Sequence, residues 1–432
     1  MKRILVLFPK DWDRLHFAQP AYRARYRFFY EGFDLFAFPE NARLIVFDIF
    51  RFVERLASRY QRIDLHGIVS NNEQFGALAA SLLAERLRLP GLDPVAVLTA
   101  QHKFYARERL KAFIPHLQPE YCAFPYSVKS ADDIPLPFPF FVKPVKATFS
   151  VLARSVSSFA ELRRHLTFNP WETFIIKRLV KPFNDVMRAR TEFRIDAHHL
   201  IGESLLEGWQ ISVEGFVREG EAHILGIIDA VMYPGTKAFL RWDYPSRLLP
   251  ATQSRVHAAV RLILEGLGYN HGFFNIELVI GSGNEIRLLE INPRMASQFS
   301  DLYEKVDGFN LHEIELSLSH GERPLLAPRK GKYRYASSFV FRKFDGSPLM
   351  HPPAPSSLAW LAGFDPDAHL MLYLKRGRAL EREMKWLGSH RYAVLNAGAA
   401  SEAELWEKHL AVKRHFRFET GNDMQPGGYS PM

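Results

Sequence analysis

The stretch Gly272-Phe273-Phe274-Asn275-Ile276-Glu277-Leu278-Val279-Ile280, joined through Gly281-Ser282-Gly283-Asn284 to Glu285-Ile286-Arg287-Leu288-Leu289-Glu290-Ile291-Asn292-Pro293-Arg294, decides how this chain is read. Apolar and β-branched runs on either side of a Gly/Ser/Asn cluster predict a β-hairpin with strands over 273–280 and 285–291. Residues two apart on a strand share a face, so Glu290 and Asn292 project together, each with an oxygen suited to a hard cation. An even loop centred on Ser282 and Gly283 sets Ile280 opposite Glu285 and Glu277 opposite Leu288. Glu277 then joins the same face as a diagonal neighbour of Glu290, at about 7 to 8 Å between Cα atoms. Two carboxylates on one face of an apolar hairpin repel each other and lose hydration unless a cation or basic group compensates them. The plain alternative is a solvent-facing surface, and Arg294, a guanidinium at the strand end, weighs against it.

Outward from the hairpin, strands are predicted at 211–217, 222–230 and 238–242, with a helix at 254–267. Residues 2–8 and 63–69 read as strands. The second runs into Ser70-Asn71-Asn72-Glu73 and an Ala/Leu-rich helix to Arg88, a strand-to-helix unit of an α/β domain. Residues 101–114 have helical spacing and stop at Pro115. A strand over 135–145 enters Lys143-Pro144-Val145-Lys146, and a helix at 157–166 with a strand at 174–180 completes a small α+β unit. Beyond Pro324 the composition shifts to Pro, Gly, Arg and Lys, and 333–342 reads as a strand opening a further β-containing domain.

The 432 residues are 47% hydrophobic, enough for several buried cores. Cys122 is the single cysteine, which rules out an internal disulfide and a multi-cysteine zinc module and fits a reducing compartment. The apolar run Ile4 to Phe8 is too short for a signal-peptide core, and no stretch nears the ~20 apolar residues that span a bilayer, so a cytoplasmic protein with no membrane partner is expected. The net charge of +9 comes from dispersed basic residues, read as a solvated surface, and no nucleic-acid partner is expected.

The linked set Gly272 to Glu277 and Leu289 to Arg294 closely resembles the metal-binding core of the ATP-grasp carboxylate-amine ligases, and a weaker resemblance extends over about residues 1–320. It implies an α/β plus α+β chain with the ATP-grasp fold. Residues 1–100 would be the preATP-grasp Rossmann-like domain, 101–205 the small subdomain with its linker helix, 206–324 the core with the metal site, and 325–432 an extra C-terminal β-containing domain. The resemblance implies Glu277, Glu290 and Asn292 as ligands of Mg2+ (or Mn2+), and Arg294 on the transferred phosphoryl group or the acyl phosphate. Lys103 and Lys143 match the family's two nucleotide lysines, ammonium point charges suited to ATP phosphates. Ile201 to Gly208 looks like the hinge that reads adenine, with Glu203 at its start; the segment 174–179 is the alternative hinge. Gln210 falls where the family commonly has a ribose-binding Glu, and an amide can still bond a hydroxyl. Lys237 and Arg241 fall where related ligases place a basic residue near the γ-phosphate, and Arg247 is a weaker candidate for a substrate carboxylate. The segment Lys143 to Ser150 lacks the glycines that the family carries in its phosphate-covering loop, which leaves Ser150 as a phosphate contact.

The implied activity joins a small-molecule carboxylate, activated as an acyl phosphate, to an amine, often an amino acid, with release of ADP and phosphate. Phosphoryl transfer to a hydroxyl or enol would use the same groups. A non-catalytic nucleotide-binding or nucleic-acid-binding protein is a third reading, against which the intact metal residues and Arg294 weigh. No Walker-type phosphate loop exists, and His312-Glu313 lacks the second His of a zinc-protease motif. Oligomeric state is open, a homodimer being one option.

Overall fold

A computed structural model gives the fold and describes residues 1–37, 39–147, 151–326, 329–346 and 353–418. At the N-terminus β1 (Lys2–Leu7) pairs in parallel with β2 (Tyr26–Glu31) and β3 (Gly67–Val69). The run Ile4-Leu5-Val6-Leu7 is apolar throughout because both faces of this parallel sheet are covered. Leu5 and Leu7 pack with residues of helices Ile49–Tyr60 and Gly76–Leu87, while Ile4 and Val6 cluster with Leu316 of helix Leu311–Ser319.

The second unit is an antiparallel sheet of β4 (Tyr121–Pro125), β5 (Phe140–Pro144), β6 (Arg154–Val156) and β7 (His199–Ser204), in the order β4-β7-β5-β6. The strand expected at 174–180 is instead part of helix Pro170–Arg190. Its start is a reciprocal cap, with Asn169 accepting from Glu172 N–H at 2.8 Å, Glu172 accepting from Asn169 N–H at 3.0 Å, and Pro170 in the first turn. Ile176, Val180, Phe183 and Met187 recur at the helical period and are buried, the last three against the N-terminal domain. The alternative hinge is therefore helical, and residues 205–208 are the segment that joins the two larger sheets.

That third sheet contains β8 (Trp209–Arg218), β9 (Glu221–Met232), β10 (Phe239–Tyr244), β11 (Gly272–Ile280), β12 (Ile286–Asn292), β13 (Tyr335–Lys343), β14 (His369–Leu372) and β15 (His390–Ala399). Its order is β12-β11-β8-β9-β10-β13-β15-β14. The C-terminal β-containing part is thus continuous with the central sheet, through β10 and β13, where Trp242 lies opposite Ser338. Helix Pro250–Gly266 covers one face through Val256, Val260 and Ile263. Helix Ser300–Asp307 covers the other through Leu302, Tyr303 and Val306. No described helix is long and apolar enough to cross a membrane.

The N-terminal domain is fastened to the central unit by buried polar groups. His312 Nε2 meets Asp13 Oδ1 at 3.0 Å, and Asn71 donates to Asp13 Oδ1 at 3.0 Å and to Glu315 Oε2 at 3.1 Å. The His16 and His312 rings lie 4.6 Å apart. Burial, and then the His312 charge, pushes His16 down from 6.5 to about 3. In the fold His16 is therefore neutral over a range in which the unfolded chain would bind its proton. Its contribution is complete above about pH 6.5 and is lost as pH falls toward the folded value, at most about 1.4 kcal/mol per pH unit. Urea unfolding between about pH 6.5 and pH 4 should show stability falling with acid and a shallower slope in His16→Asn; an unchanged slope would reject this account of the latch.

Candidate active site

The loop Gly281–Glu285 is odd in length and sets Ile280 opposite Ile286, not Glu285. Continued without interruption, that register would place Glu290 opposite Ile276, on the apolar face. A β-bulge intervenes: Leu278 opposes Leu288, Leu289 is left unpaired, and Glu277 opposes Glu290 directly. Glu277 is therefore a cross-strand partner of Glu290 and not the expected diagonal neighbour, and Asn275 likewise opposes Asn292. Leu278, Leu288 and Ile291 fill the core on the opposite face.

The unpaired Leu289 turns its carbonyl to Arg107, on helix Lys103–Lys111, and to Lys143 of the small sheet, accepting from Arg107 Nη2 at 3.0 Å and from Lys143 Nζ at 3.3 Å. Both cations also hold Glu203, Arg107 at 2.9 Å and Lys143 at 2.8 Å, and all three side chains are buried. Burial works to raise the Glu203 carboxyl, but Arg107 and Lys143 outweigh it and hold it below the usual range. Burial lowers Lys143 by more than Glu203 raises it.

Lys103 is the first residue of helix Lys103–Lys111, capped by His102, whose Nδ1 accepts from Tyr105 N–H at 3.3 Å. A lysine there opposes the helix dipole, a cost consistent with a task elsewhere. Its Nζ meets Glu290 Oε1 at 2.8 Å and donates to the Ala147 carbonyl at 3.2 Å. Burial acts to lower its pKa, and Glu290 and Glu73 more than offset that, so the ammonium stays charged.

Glu73 enters from the loop after β3. It pairs with Arg294 Nη2 at 2.7 Å, and its backbone carbonyl accepts from Lys146 at 2.9 Å. The Asn292 amide sits between two partners, one end 2.9 Å from Asn275 Oδ1 and the other 2.8 Å from Glu73 Oε2. Burial pushes Lys146 down to about 8 and Glu214, which accepts from Asn275, up to about 8. Glu277 is pushed up by burial and then by Glu290.

The donor set fits a cation. Among the described residues no group of three or more His, Cys, Asp or Glu would hold a metal unaided. Glu277, Glu290 and Asn292 supply two carboxylates and an amide, which suits magnesium taking its other ligands from phosphate and water. The raised Glu277 marks a carboxylate pair short of positive charge, and the nearby buried lysines and arginines suit a polyphosphate.

The remaining sequence candidates scatter. Gln210 donates to Glu277 Oε2 at 2.8 Å, which ties it to the carboxylate pair. Ser150 lies outside the described residues. Lys237 is exposed on the connection between β9 and β10. Arg241 belongs to the other face of the sheet, paired with Asp243 at 2.9 Å and lying over Trp406, because its neighbour Trp242 takes the site face. Arg247 is on that far side too, within 3.6 Å of Asp229. Glu73, Arg107, Lys146, Glu214 and Asn275 were not singled out from the sequence. Asn275 and Glu214 had a readable signal, since Asn275 alternates with Glu277 and Glu214 with Ser212.

Residues 136–301 match the family model of the ATP-grasp domain. No curated protein matches the sequence. The chain is similar in fold to an L-amino acid ligase from Bacillus licheniformis, with TM-score 0.70 and 15% identity over 96% of this chain and 98% of that one. Carboxyaminoimidazole ribonucleotide synthase from Aspergillus clavatus, solved with ATP, gives TM-score 0.65 and 15% identity over 96% and 98%. Phosphoribosylglycinamide synthetase from Anaerococcus prevotii gives 0.62 and 13% over 96% and 98%. At these identities the likeness shows a shared fold, the ATP-grasp fold.

Two substitutions should move stability in opposite directions. Glu277→Gln removes the facing charge and should raise the melting temperature of the ligand-free chain. Arg107→Met leaves Glu203 buried with one fewer partner and should cost about 3–5 kcal/mol in urea unfolding. A destabilising Glu277→Gln would reject the repulsion argued for the pair.

Proposed function

We propose that this chain, an ATP-grasp protein by domain and fold, is an ATP-dependent ligase that joins a small-molecule carboxylate to an amine and releases ADP and phosphate. The observation that carries this is the opposed Glu277–Glu290 pair, set among Asn292, Lys103, Lys143 and Arg294 between the two antiparallel sheets. Glu277, Glu290 and Asn292 would hold Mg2+ (or Mn2+), which supplies charge neutralisation along the phosphates.

Lys103 and Lys143 would exchange carboxylate partners for phosphate oxygens when ATP enters. The substrate carboxylate attacks the γ-phosphorus, the bond to the ADP oxygen breaks, and an acyl phosphate forms. The amine then attacks the acyl carbon, phosphate departs, and the nitrogen loses a proton. Arg294 neutralises charge on the moving phosphoryl group, and the protein's part is positioning and electrostatics. Acyl phosphates hydrolyse readily, so the small sheet should close over the site. Residues 205–208 are the natural hinge. Gly208, at φ +137°, passes so close to β11 that a Cβ would lie 2.2 Å from the Ile280 carbonyl oxygen.

An ADP-release screen with magnesium over carboxylates and amino acids, followed by mass spectrometry of the products, tests this. Glu290→Gln should lose about 100-fold or more of the turnover, as expected when a transition-state charge contact is removed. Amide product supports the ligase; phosphorylated substrate without amide would replace it with a phosphotransferase. Equal ATP turnover in wild type and Glu290→Gln would sink the site assignment.

A further inference from the structure

On the face of the central sheet that carries Glu277 and Glu290, a second set of cations stands farther along, on strands that none of the nucleotide or metal residues occupy. Arg342 on β13 and Arg391 on β15 are direct cross-strand partners, which brings their Cα atoms to about 4.5–5.5 Å. A bulge between Phe341 and Arg342, with Tyr392 as the extra residue on β15, sets both arginines on the side of Val340 and Val394, whose cluster also contains Trp12, Phe216 and Phe273. Like charges directly opposite one another destabilise a sheet.

Among the described residues no carboxylate forms an ion pair with either side chain. Arg342 donates from Nη1 to Ser389 Oγ at 2.9 Å, and its Nε is buried without a hydrogen-bond partner. The Arg391 guanidinium lies 4.1 Å from the Tyr373 ring centre, which orients it without neutralising it. Glu383 is in electrostatic range of Arg342 but is committed to Lys375 and His390, and Asp11, in range of Arg391, is exposed. Burial, and then Arg391, pulls Arg342 down to about 10. Lys10, on the segment between β1 and helix Asp11–Phe17, bridges the two regions. Burial pushes it down to about 7, with Arg294 the next cause; Asp13 and Glu73 act against this, and Arg391 adds to it. Basic groups therefore run from Arg294, at the phosphoryl end, past Lys10 to the arginine pair.

We infer that Arg342 and Arg391, with Lys10, bind a second anionic group of the substrate, so that the small molecule handled here is a carboxylate bearing a further carboxylate or phosphate. The substrate class rests on the ligase reading of the site; the anion subsite does not.

The test uses the full chain without nucleotide, followed by thermal shift during titration with succinate, inorganic phosphate or acetate at constant ionic strength. Succinate or phosphate should stabilise saturably and acetate much less, and the stronger of the two dianions identifies the second group. In Arg342→Gln and in Arg391→Gln the apparent affinity should fall about tenfold or more, the size of a lost charge-assisted contact. Both variants, relieved of the like-charge pair, should melt no lower than wild type in the absence of anion. Equal responses in wild type and both variants, or acetate binding as tightly as the dianions, would overturn the subsite. In the ADP-release screen, dianionic substrates should show KM raised about tenfold or more by either variant. If no carboxylate supports turnover while the anion titration behaves as described, the ligase reading fails and the subsite stands.

Discussion

Glu277 and Glu290 face each other across adjacent antiparallel strands, and their mutual repulsion has to be met by charge brought from elsewhere in the chain. The compensating groups come from every unit. Lys103 arrives from the linker helix, and Arg107 and Lys143 reach the same strand by way of the Leu289 carbonyl. Arg294 is held in turn by Glu73 of the N-terminal domain. The site is thus an electrostatic junction of three units as much as a binding surface. That junction gives a reason for a lysine at a helix N-terminus, which local structure would not favour, and for the burial of the Glu73 carboxylate in the loop after β3.

On the proposed reading, the ion pairs that hold the ligand-free junction are the ones a magnesium–triphosphate complex would replace. A buried pair recovers little more than its own desolvation cost, so exchanging one anionic partner for another of similar geometry is nearly balanced. Lys143 shows how this couples to motion. It is anchored to Glu203 on its own sheet and to Leu289 on the central sheet, so a change of partner at its Nζ alters what links the two sheets.

Much of the architecture was legible because it rests on period and punctuation. Strands β1 and β3 of the parallel sheet, the hairpin, the helix after β10 and the common face of Glu277, Glu290 and Asn292 all follow from alternation and turn residues, whereas β2, whose Tyr26-Arg27-Phe28-Phe29-Tyr30-Glu31 shows no clean alternation, was not legible. The route to that common face was not legible, since an odd loop and a bulge cancel, and neither leaves a mark in Leu288-Leu289. Residues 174–180 misled because Phe-Ile-Ile reads as a strand until the Asn169 cap and the burial of Ile176, Val180, Phe183 and Met187 are seen together. Glu73 was invisible as a site residue because its role depends on how one domain docks on another. Arg241 failed for the opposite reason, since its type was right and its parity on β10 was wrong.

Parity also explains why bulges recur where the sheet carries charge. In a regular strand, Leu288 and Glu290 would share a face, and so would Arg391 and Ala393. The apolar partner in each case belongs to a core: Leu288 to the cluster under helix Pro250–Gly266, Ala393 to the cluster beside helix Glu402–His415. One extra residue, Leu289 in the first strand and Tyr392 in the second, releases the charged side chain to the opposite face while the core contact is kept. A further register shift falls beside Glu214, the buried carboxyl near Asn275, but there the extra residue is Leu225 on the partner strand β9 and Glu214 keeps its regular parity. Bulges interrupt the ladder and leave a residue unpaired, so a sheet with no use for polar groups on this face would be more stable without them. The coincidence of two of them with Glu290 and Arg391 puts the charged groups of the C-terminal strands on the same face as the hairpin that carries Glu277 and Glu290.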